Sequence, residues 1–332
     1  MLCNPASVAR MYAGILICMT LDVQEWLGRR IGAVHARQRL GIEDETPRVF
    51  GKGLNFFHPE NWYSTHAMLR YLLKLTGVYW YGRRKALDIR LERNDIELLH
   101  LPPPLDGLTL LHLSDLHVDM HPEATQVLIE FVEKLEYDIC VITGDYRALT
   151  TGSIDTAMAG MRSLCTVLKR PVYAVLGNHD SIRMVPELED MGIHMLLNES
   201  IMIERQDAKL YLAGIDDAHY YCVHNLEKSA HGIPADAVSI LLSHTPEVYR
   251  QAAHTGFNVM LCGHTHGGQI CLPGGYPLTL DAKCPRYMGS GSWRFHTMTG
   301  YTSVGAGTSI VDVRLNCPPK VTLHRLCRSA AS

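Results

Sequence analysis

Beyond residue 104, apolar and polar positions alternate between two patterns. Short continuous apolar runs predict buried strands, and longer stretches that are apolar at helical spacing predict helices. We expect strands at residues 109–113, 138–143 and 172–176, with helices at 122–135 and 154–168 between them. Strands joined through helices are normally parallel, so their C-terminal ends should lie along one edge of a sheet.

A second series of strands is predicted further along the chain. Short apolar runs cover residues 201–203, 210–213, 239–243 and 259–262. The run at 210–213 continues into Gly214-Ile215-Asp216-Asp217, to which the sequence assigns no chemistry.

Five of these apolar runs end in residues that could bind a metal ion. Taken singly, each has an ordinary structural explanation: Asp145 fits a turn after Gly144, Asn178 a left-handed turn, and His244 a core histidine. Their joint occurrence at strand ends, where open α/β sheets form ligand crevices, favours one shared site. The residues concerned are Asp115, His117, Asp145, Asn178, His179, His244, His264 and His266.

The ordered series Asp-x-His, Gly-Asp, Gly-Asn-His-Asp, His and Gly-His-Thr-His resembles the calcineurin-like metallophosphoesterase superfamily over residues 108–325. The phrases 263–270 and 305–309 resemble the branch that contains bacterial membrane-associated phosphoesterases and a UDP-2,3-diacylglucosamine pyrophosphatase. The resemblance implies an α/β fold, a four-layer α/β/β/α sandwich of two mixed sheets. It also implies a phosphoesterase domain at 105–332, preceded by an extension at 1–104.

The resemblance further implies two divalent metal ions. The first would be held by Asp115, His117, Asp145 and His266, and the second by Asp145, Asn178, His244 and His264. Carboxylate, amide and imidazole ligands suit Mn²⁺, our first expectation, with Fe and Zn²⁺ as alternatives. Such a pair shares and activates a water molecule for attack on phosphorus.

Four further residues are interpreted at this stage. His179 is the candidate to stabilise the transition state or to protonate the leaving oxygen, and Asp180 is expected to orient it. Arg147 has two open interpretations, contact with a substrate phosphate or exposure to solvent. His219 is interpreted either as part of a substrate rim or as ordinary surface.

Three classes of function fit these features. The first is a hydrolase of phosphodiester or pyrophosphate bonds in a lipid-linked substrate such as UDP-2,3-diacylglucosamine. The second is a soluble nucleotide phosphodiesterase or phosphatase, and the third is a non-catalytic scaffold. The complete ligand set and His179 argue against the scaffold.

The lipid-linked alternative depends on residues 62–85. Leu72, Leu73 and Leu75, followed by Tyr79-Trp80-Tyr81 and by Arg83-Arg84-Lys85, predict a cationic amphipathic helix in contact with an anionic membrane. The alternative is a helix that packs on the catalytic domain. The apolar run at 11–21 is too short to span a bilayer, and no small-residue cleavage site follows it.

Composition, charge and cysteine spacing limit the class of protein, its partners and its compartment. The 332 residues are 47% hydrophobic and 20% charged, which is typical of a folded protein. Residues 1–100 carry 14 Lys and Arg against 10 Asp and Glu, whereas the remainder is net negative, so we expect no nucleic-acid partner. No protein partner is predicted. The ten cysteines lack CxxC spacing and suit reduced thiols, which favours the cytoplasm, with peripheral attachment to the inner face of the membrane.

Overall fold

A computed structural model describes residues 23–45 and 63–329. The chain forms two compact units, residues 1–46 and 47–332. In the first unit, residues 23–31 are helical and are followed by helix α1 (Ala33–Glu43). The apolar run predicted at 11–21 lies outside the described residues.

All the strands of the described residues lie in the second unit. In chain order they are β1 (Arg90–Leu98), β2 (Thr109–Leu113), β3 (Ile139–Ile142), β4 (Val172–Ala174), β5 (Ile193–Met195), β6 (Glu199–Arg205), β7 (Ala208–Gly214), β8 (Val238–Leu242), β9 (Val259–Cys262), β10 (Cys271–Leu272), β11 (Tyr276–Pro277), β12 (Gly291–Phe295), β13 (Met298–Thr302) and β14 (Lys320–Arg328). The predicted strands are all present, with ends shifted by a few residues.

Two six-stranded sheets form within the described residues. The first has the order β1-β14-β2-β3-β4-β5 and the second β12-β13-β9-β8-β7-β6. Strands β2 to β5 are parallel, as are β7, β8, β9 and β13, while β14 and β2, β6 and β7, and β12 and β13 pair in antiparallel fashion. Both sheets are therefore mixed, as predicted.

Helices α2 (Tyr63–Leu75) and α3 (Val78–Lys85) precede β1. The parallel strands are connected by α4 (Pro122–Val132), α5 (Asp155–Cys165), α6 (Val185–Asp190), α7 (Leu226–Ala230) and α8 (Tyr249–Thr255). Helix α4 begins with Pro122. The first N–H groups of a helix have no partner within it, so a proline, which has no N–H, loses no hydrogen bond at this position. His121 Nδ1 accepts the N–H of Ala124.

The core lies between the two sheets. Leu110 and Val141 of the first sheet belong to the same buried cluster as Leu212, Ile240 and Leu261 of the second. The other face of the second sheet packs on α8 through a separate cluster. The α/β/β/α sandwich predicted from the resemblance is confirmed, because each sheet buries one face against the other sheet and one against helices.

Strand β1 corrects the predicted domain division. It lies upstream of residue 104, yet it pairs in parallel with β14 along nine residues, from Arg90 to Leu98. The predicted boundary at 104 therefore falls between two strands of one sheet. Strand β1 belongs to the first sheet because its backbone hydrogen bonds are made there.

The amphipathic segment forms two helices instead of one. Gly77, with φ of 73°, separates α2 from α3. Leu69 and Leu73 of α2 and Tyr79 of α3 pack against Val311 and Val313. These helices therefore cover part of the catalytic unit, which was the alternative prediction for this segment.

Asp312 fastens the two helices to the catalytic unit. Its carboxylate accepts a hydrogen bond of 2.9 Å from the hydroxyl of Tyr79. It also lies 3.8 Å from Arg70 and 3.6 Å from Arg83. Arg83, one of the basic residues predicted to face anionic lipid, and Arg70 thus lie near a carboxylate of the protein itself.

The opposite side of the same helices is apolar and exposed. The exposed side chains are Met68, Tyr71, Leu72, Leu75, Trp80 and Tyr81. None of the helices in the described ranges has the length and apolar character to cross a membrane.

The described cysteines, from Cys140 to Cys327, are free thiols.

Candidate dimetal centre

The predicted ligands lie in the loops that follow parallel strands, as the sequence predicted. Five of them adopt the left-handed backbone region, which is unfavourable for residues with a side chain. Such strain usually persists at functional sites because the surrounding structure holds it. These residues, with φ between 39° and 72°, are Asp115, His117, Asp145, His264 and His266.

The first group consists of Asp115, His117, Asp145 and His266. One potential ligand atom from each lies within 4.8 Å of the others, and all four residues are buried. The Nε2 atoms of His117 and His266 are 3.2 Å apart, and Nε2 of His266 is 3.4 Å from an Asp115 carboxylate oxygen. This is the set that the resemblance assigns to the first ion.

The second group shares Asp145 with the first and adds His244 and His264, again within 4.8 Å. Nε2 of His244 lies 3.2 Å from Nδ1 of His264 and 2.9 Å from Oδ1 of Asn178. The structure therefore brings all the predicted ligands together, with Asp145 between the two groups.

Backbone carbonyls orient two of the imidazole rings. Nδ1 of His117 is 2.7 Å from the carbonyl oxygen of Arg147, and Nδ1 of His244 is 2.7 Å from that of Thr143. A carbonyl can only accept, so each Nδ1 carries a proton, which leaves Nε2 as the ring atom available to bind an ion.

The arrangement fits two divalent cations. Ring nitrogens and carboxylate oxygens converge from several loops at distances that a cation between them would bridge. Mixed nitrogen and oxygen ligands suit Mn²⁺, Fe and Zn²⁺.

The electrostatics of the site agree with this interpretation. Burial would raise the pKa of Asp145, but the His244 and His179 imidazoles hold it well below its usual range, so this carboxylate is ionised. Burial lowers the pKa of His264 and of His266, which keeps both rings neutral, the form that binds a metal ion.

His179 lies beside Asp145, with Nε2 4.0 Å from a carboxylate oxygen. Its Nδ1 is 3.2 Å from the buried hydroxyl of Thr150. Sequence analysis missed Thr150, which lies in a loop without any recognisable motif.

Asp180 holds the backbone of two loops that carry ligands. Its carboxylate accepts hydrogen bonds from the backbone N–H groups of Asp145, Tyr146 and Gly177, at 2.7 to 2.8 Å. These contacts give Asp180 a structural role that the sequence did not predict, and its orientation of His179 stays a prediction.

The prediction that Arg147 is exposed to solvent is wrong. The side chain is buried, and its guanidinium donates to the carbonyl oxygens of His179, Thr150 and Gly152. It thus fastens the loop whose carbonyl orients His117, and its contact with a substrate phosphate stays a prediction.

Two glycines permit close packing of the loops. A Cβ atom at Gly177 would overlap with the carboxylate of Asp145, and one at Gly263 would overlap with Ser114 and Asp115. Any larger residue at either position would displace a loop that carries a ligand.

Arg314 is a further residue that sequence analysis missed. It is fully buried and donates to the carbonyl oxygens of Val304, Gly307 and His266. It thus joins the His266 loop to the loop at 303–307, which lies against Asp115 through a hydrogen bond from the Gly307 N–H to the Asp115 carbonyl.

A cavity of about 300 Å³ opens above the two groups. Asp145, Asn178, His179, His264 and His266 contribute to its lining. The remaining wall is largely apolar and includes Leu69 of α2, together with Ile270, Leu278, Ile310 and Val311. This wall offers complementary surface to an apolar group.

Comparison with known proteins agrees with this geometry. The family described as calcineurin-like phosphoesterase matches residues 108–268, which contain all seven predicted ligands. The chain carries a calcineurin-like phosphoesterase domain. This places it among the phosphoester hydrolases, as predicted.

Several relatives of this phosphoesterase domain are similar in sequence. The uncharacterized metallophosphoesterase YkoQ of Bacillus subtilis is 29% identical, over 77% of this chain and 97% of its own length. The transmembrane protein with metallophosphoesterase domain of Danio rerio is 30% identical, over 72% of this chain but 56% of its own length. The phosphodiesterase YaeI of Escherichia coli is 28% identical, over 65% of this chain and 81% of its own length.

Proposed function

We propose that this phosphoesterase domain uses two divalent ions, Mn²⁺ first among them, to hydrolyse phosphodiester or pyrophosphate bonds. Asp115, His117, Asp145 and His266 would hold the first ion, and Asp145, Asn178, His244 and His264 the second. The observation that supports this most directly is the shared carboxylate of Asp145 between two groups of ring nitrogens. When bound, the ions supply an activated water molecule and neutralise the charge on the phosphoryl oxygens.

The protein's own residues would do the remaining work. Asp145, ionised and buried, fixes the spacing of the two groups. His179 reaches the cavity beside Asp145, where a ring N–H can donate to the phosphoryl group or to the leaving oxygen. Thr150 holds the other nitrogen of the ring, so that His179 keeps its orientation.

For the substrate, we propose an amphiphilic phosphoester, such as a lipid-linked nucleotide of the UDP-2,3-diacylglucosamine kind. The apolar wall of the cavity supports this class, because Leu69, Leu278 and Ile310 would cover an alkyl chain next to the reacting phosphate. The exposed apolar side of α2 and α3 supports peripheral contact with a membrane, where such substrates reside. We place the protein on the cytoplasmic face in this proposal.

A soluble nucleotide substrate is the second candidate. It is favoured by the attachment of α2 and α3 to the catalytic unit through Asp312, since helices that cover the domain need no membrane to bury Leu73 and Tyr79. Both candidates use the same metal ligands.

The test compares substrates on one preparation. Protein stripped by a chelator is expected to be inactive and to regain activity with Mn²⁺ on a generic aryl phosphodiester. The reconstituted enzyme is then assayed on an acylated nucleotide diphosphate and on the same compound without acyl chains. A lower KM for the acylated compound, raised by Leu69→Gln, supports the amphiphilic substrate. Equal KM values favour the nucleotide alternative, and full activity without metal contradicts the dimetal mechanism.

A further inference from the structure

The two nitrogens of the His264 ring have different environments. Nδ1 faces the second group, 3.2 Å from Nε2 of His244, whereas Nε2 is buried and has no hydrogen-bond partner. A ring that binds an ion through Nδ1 keeps its proton on Nε2. A buried N–H without an acceptor is destabilising, so a loaded centre would require an acceptor at this position.

Two side chains that the proposed centre does not use lie close to the His264 ring. The ring of His219 is 4.2 Å from the His264 ring, centroid to centroid. One potential ligand atom from each of His219, His264 and Asp281 lies within 4.8 Å of the others. Asp281 also lines the cavity together with His264, and it is exposed, so its carboxylate can move by the short distance required.

The surroundings fix His219 firmly. Its Nδ1 is 3.0 Å from a carboxylate oxygen of Glu247, and its backbone N–H donates to Asp217. The other carboxylate oxygen of Asp217 accepts the N–H groups of Tyr220 and Tyr221, both at 2.7 Å. Asp217 belongs to the Gly214-Ile215-Asp216-Asp217 stretch, and its side chain thus shapes the loop that holds His219 next to His264.

Glu247 connects the same assembly to the Asp281 segment. The oxygen that contacts His219 also accepts the backbone N–H of Lys283 at 2.8 Å. Since Lys283 follows Asp281 by two residues, Glu247 sets the distance between His219 and the segment that carries Asp281.

We propose that Asp281 is a positioning residue for the second ion, accepting the Nε2–H of His264 once that ion is bound. This rests on the proposed dimetal function. In this arrangement the Glu247–His219 pair holds the Asp281 carboxylate near the ring. A carboxylate that accepts the distal N–H of a ligating imidazole fixes the ring's orientation and makes it a stronger ligand.

The test is metal binding to the full chain, stripped of metal and titrated with Zn²⁺ by calorimetry. Asp281→Ala is expected to weaken the second ion by about 10–100-fold and to leave the first unchanged. Asp281→Asn retains an uncharged acceptor and should fall between Ala and wild type. Asp207→Asn, a carboxylate in the turn between β6 and β7, is the matched control and should bind like wild type.

Long-range ¹H–¹⁵N spectra of histidine provide a readout that does not depend on activity. In the Zn²⁺-loaded protein, the Nε2–H proton of His264 should resonate downfield and be protected from exchange with water. Both properties should be lost in Asp281→Ala and retained in Asp207→Asn.

Three outcomes would overturn the inference. Equal second-ion affinity in Asp281→Ala and wild type would show that the carboxylate does not act on His264. A third Zn²⁺ equivalent lost in Asp281→Ala would show that His219, His264 and Asp281 bind a cation themselves. A wild-type protein that binds no pair of ions would contradict the proposed function as well, which separates the two failures.

Discussion

The carboxylate of Asp180 accepts a hydrogen bond of 2.7 Å from the backbone N–H of Asp145, the residue shared by the two metal-binding groups. The same oxygen accepts the N–H of Gly177, one residue before Asn178. A single buried side chain therefore sets the separation of two loops that carry ligands. The rigidity of the centre depends on it, although Asp180 contributes no atom to either group.

Replacing Asp180 with Asn tests this role. The amide has one acceptor oxygen in place of two, so at least one buried N–H loses its partner, at about 1–3 kcal/mol of stability. We expect a lower free energy of unfolding in the metal-free protein and weaker binding of both ions, measured by denaturant titration and metal analysis. Normal metal content with reduced turnover would instead support the original assignment, in which Asp180 orients His179.

Asp145 is expected to be the residue on which both ions depend. Asp145→Ala removes the shared carboxylate and should abolish binding of both ions, whereas His117→Ala should weaken mainly the first. Metal content after dialysis, measured by mass spectrometry, distinguishes the two. If both variants lose the same ion to the same extent, Asp145 does not bridge.

His179 should affect rate more than binding. His179→Ala is expected to keep both ions and to lose about 10²–10⁴-fold in kcat, the usual effect of removing a proton-transfer group. Thr150→Val removes the hydroxyl that contacts Nδ1 and should reduce kcat less, with the pH profile shifted. Unchanged turnover in His179→Ala would make the residue structural.

Membrane contact should depend on exposed apolar side chains more than on charge. Arg70 and Arg83 lie near Asp312, and Lys85 lies 3.6 Å from Asp88, so fewer basic groups face outward than the sequence suggests. The double variant Leu72→Gln/Trp80→Gln should lose cosedimentation with anionic vesicles.

The same experiment requires two comparisons. Met202→Gln changes an exposed apolar residue on β6 and should bind vesicles like wild type. Salt should release the wild-type protein only in part. Deleting residues 1–85 is a poorer test, because it also removes Leu69 from the wall of the cavity. Absence of vesicle binding at low salt would favour the nucleotide substrate.

The buried His219–Glu247 pair should make stability depend on pH. Burial lowers the pKa of His219, but Glu247 raises it to about 9 from an ordinary value of 6.5. The folded state thus holds the proton more tightly than the unfolded state. The contribution, on the order of 3 kcal/mol, is complete below pH 6.5 and is lost as pH rises through 9.

Denaturant unfolding of metal-free protein at pH 6 and at pH 9.5 measures this effect. His244, with a pKa raised to about 10, changes stability in the same direction, so the comparison with Glu247→Gln isolates the His219 contribution. The variant should lose less stability between the two pH values. If the free energy of unfolding falls equally in both proteins between the two pH values, the His219–Glu247 pair does not cause the pH dependence.

The sequence by itself determined the position of the centre. Each ligand follows an apolar run, and parallel strands bring their C-terminal ends to one edge, so Asp115, Asp145 and Asn178 had to meet. The ordered motifs added His244 and the 263–266 phrase from the second sheet. These inferences depend on local patterns and on rules of chain connection, which a single sequence contains.

Only the tertiary structure decided how side chains are used around the centre. Whether Asp180 holds His179 or the Asp145 loop, and whether Arg147 faces a substrate or backbone carbonyls, depends on loops distant in sequence. The same is true of Arg314 and Thr150, which no motif marks, and of α2, which lies against the cavity because Asp312 pairs with Tyr79 and lies near Arg70 and Arg83. A side chain can hydrogen-bond only to groups within about 3 Å, so its partners are fixed only when the separate loops pack together.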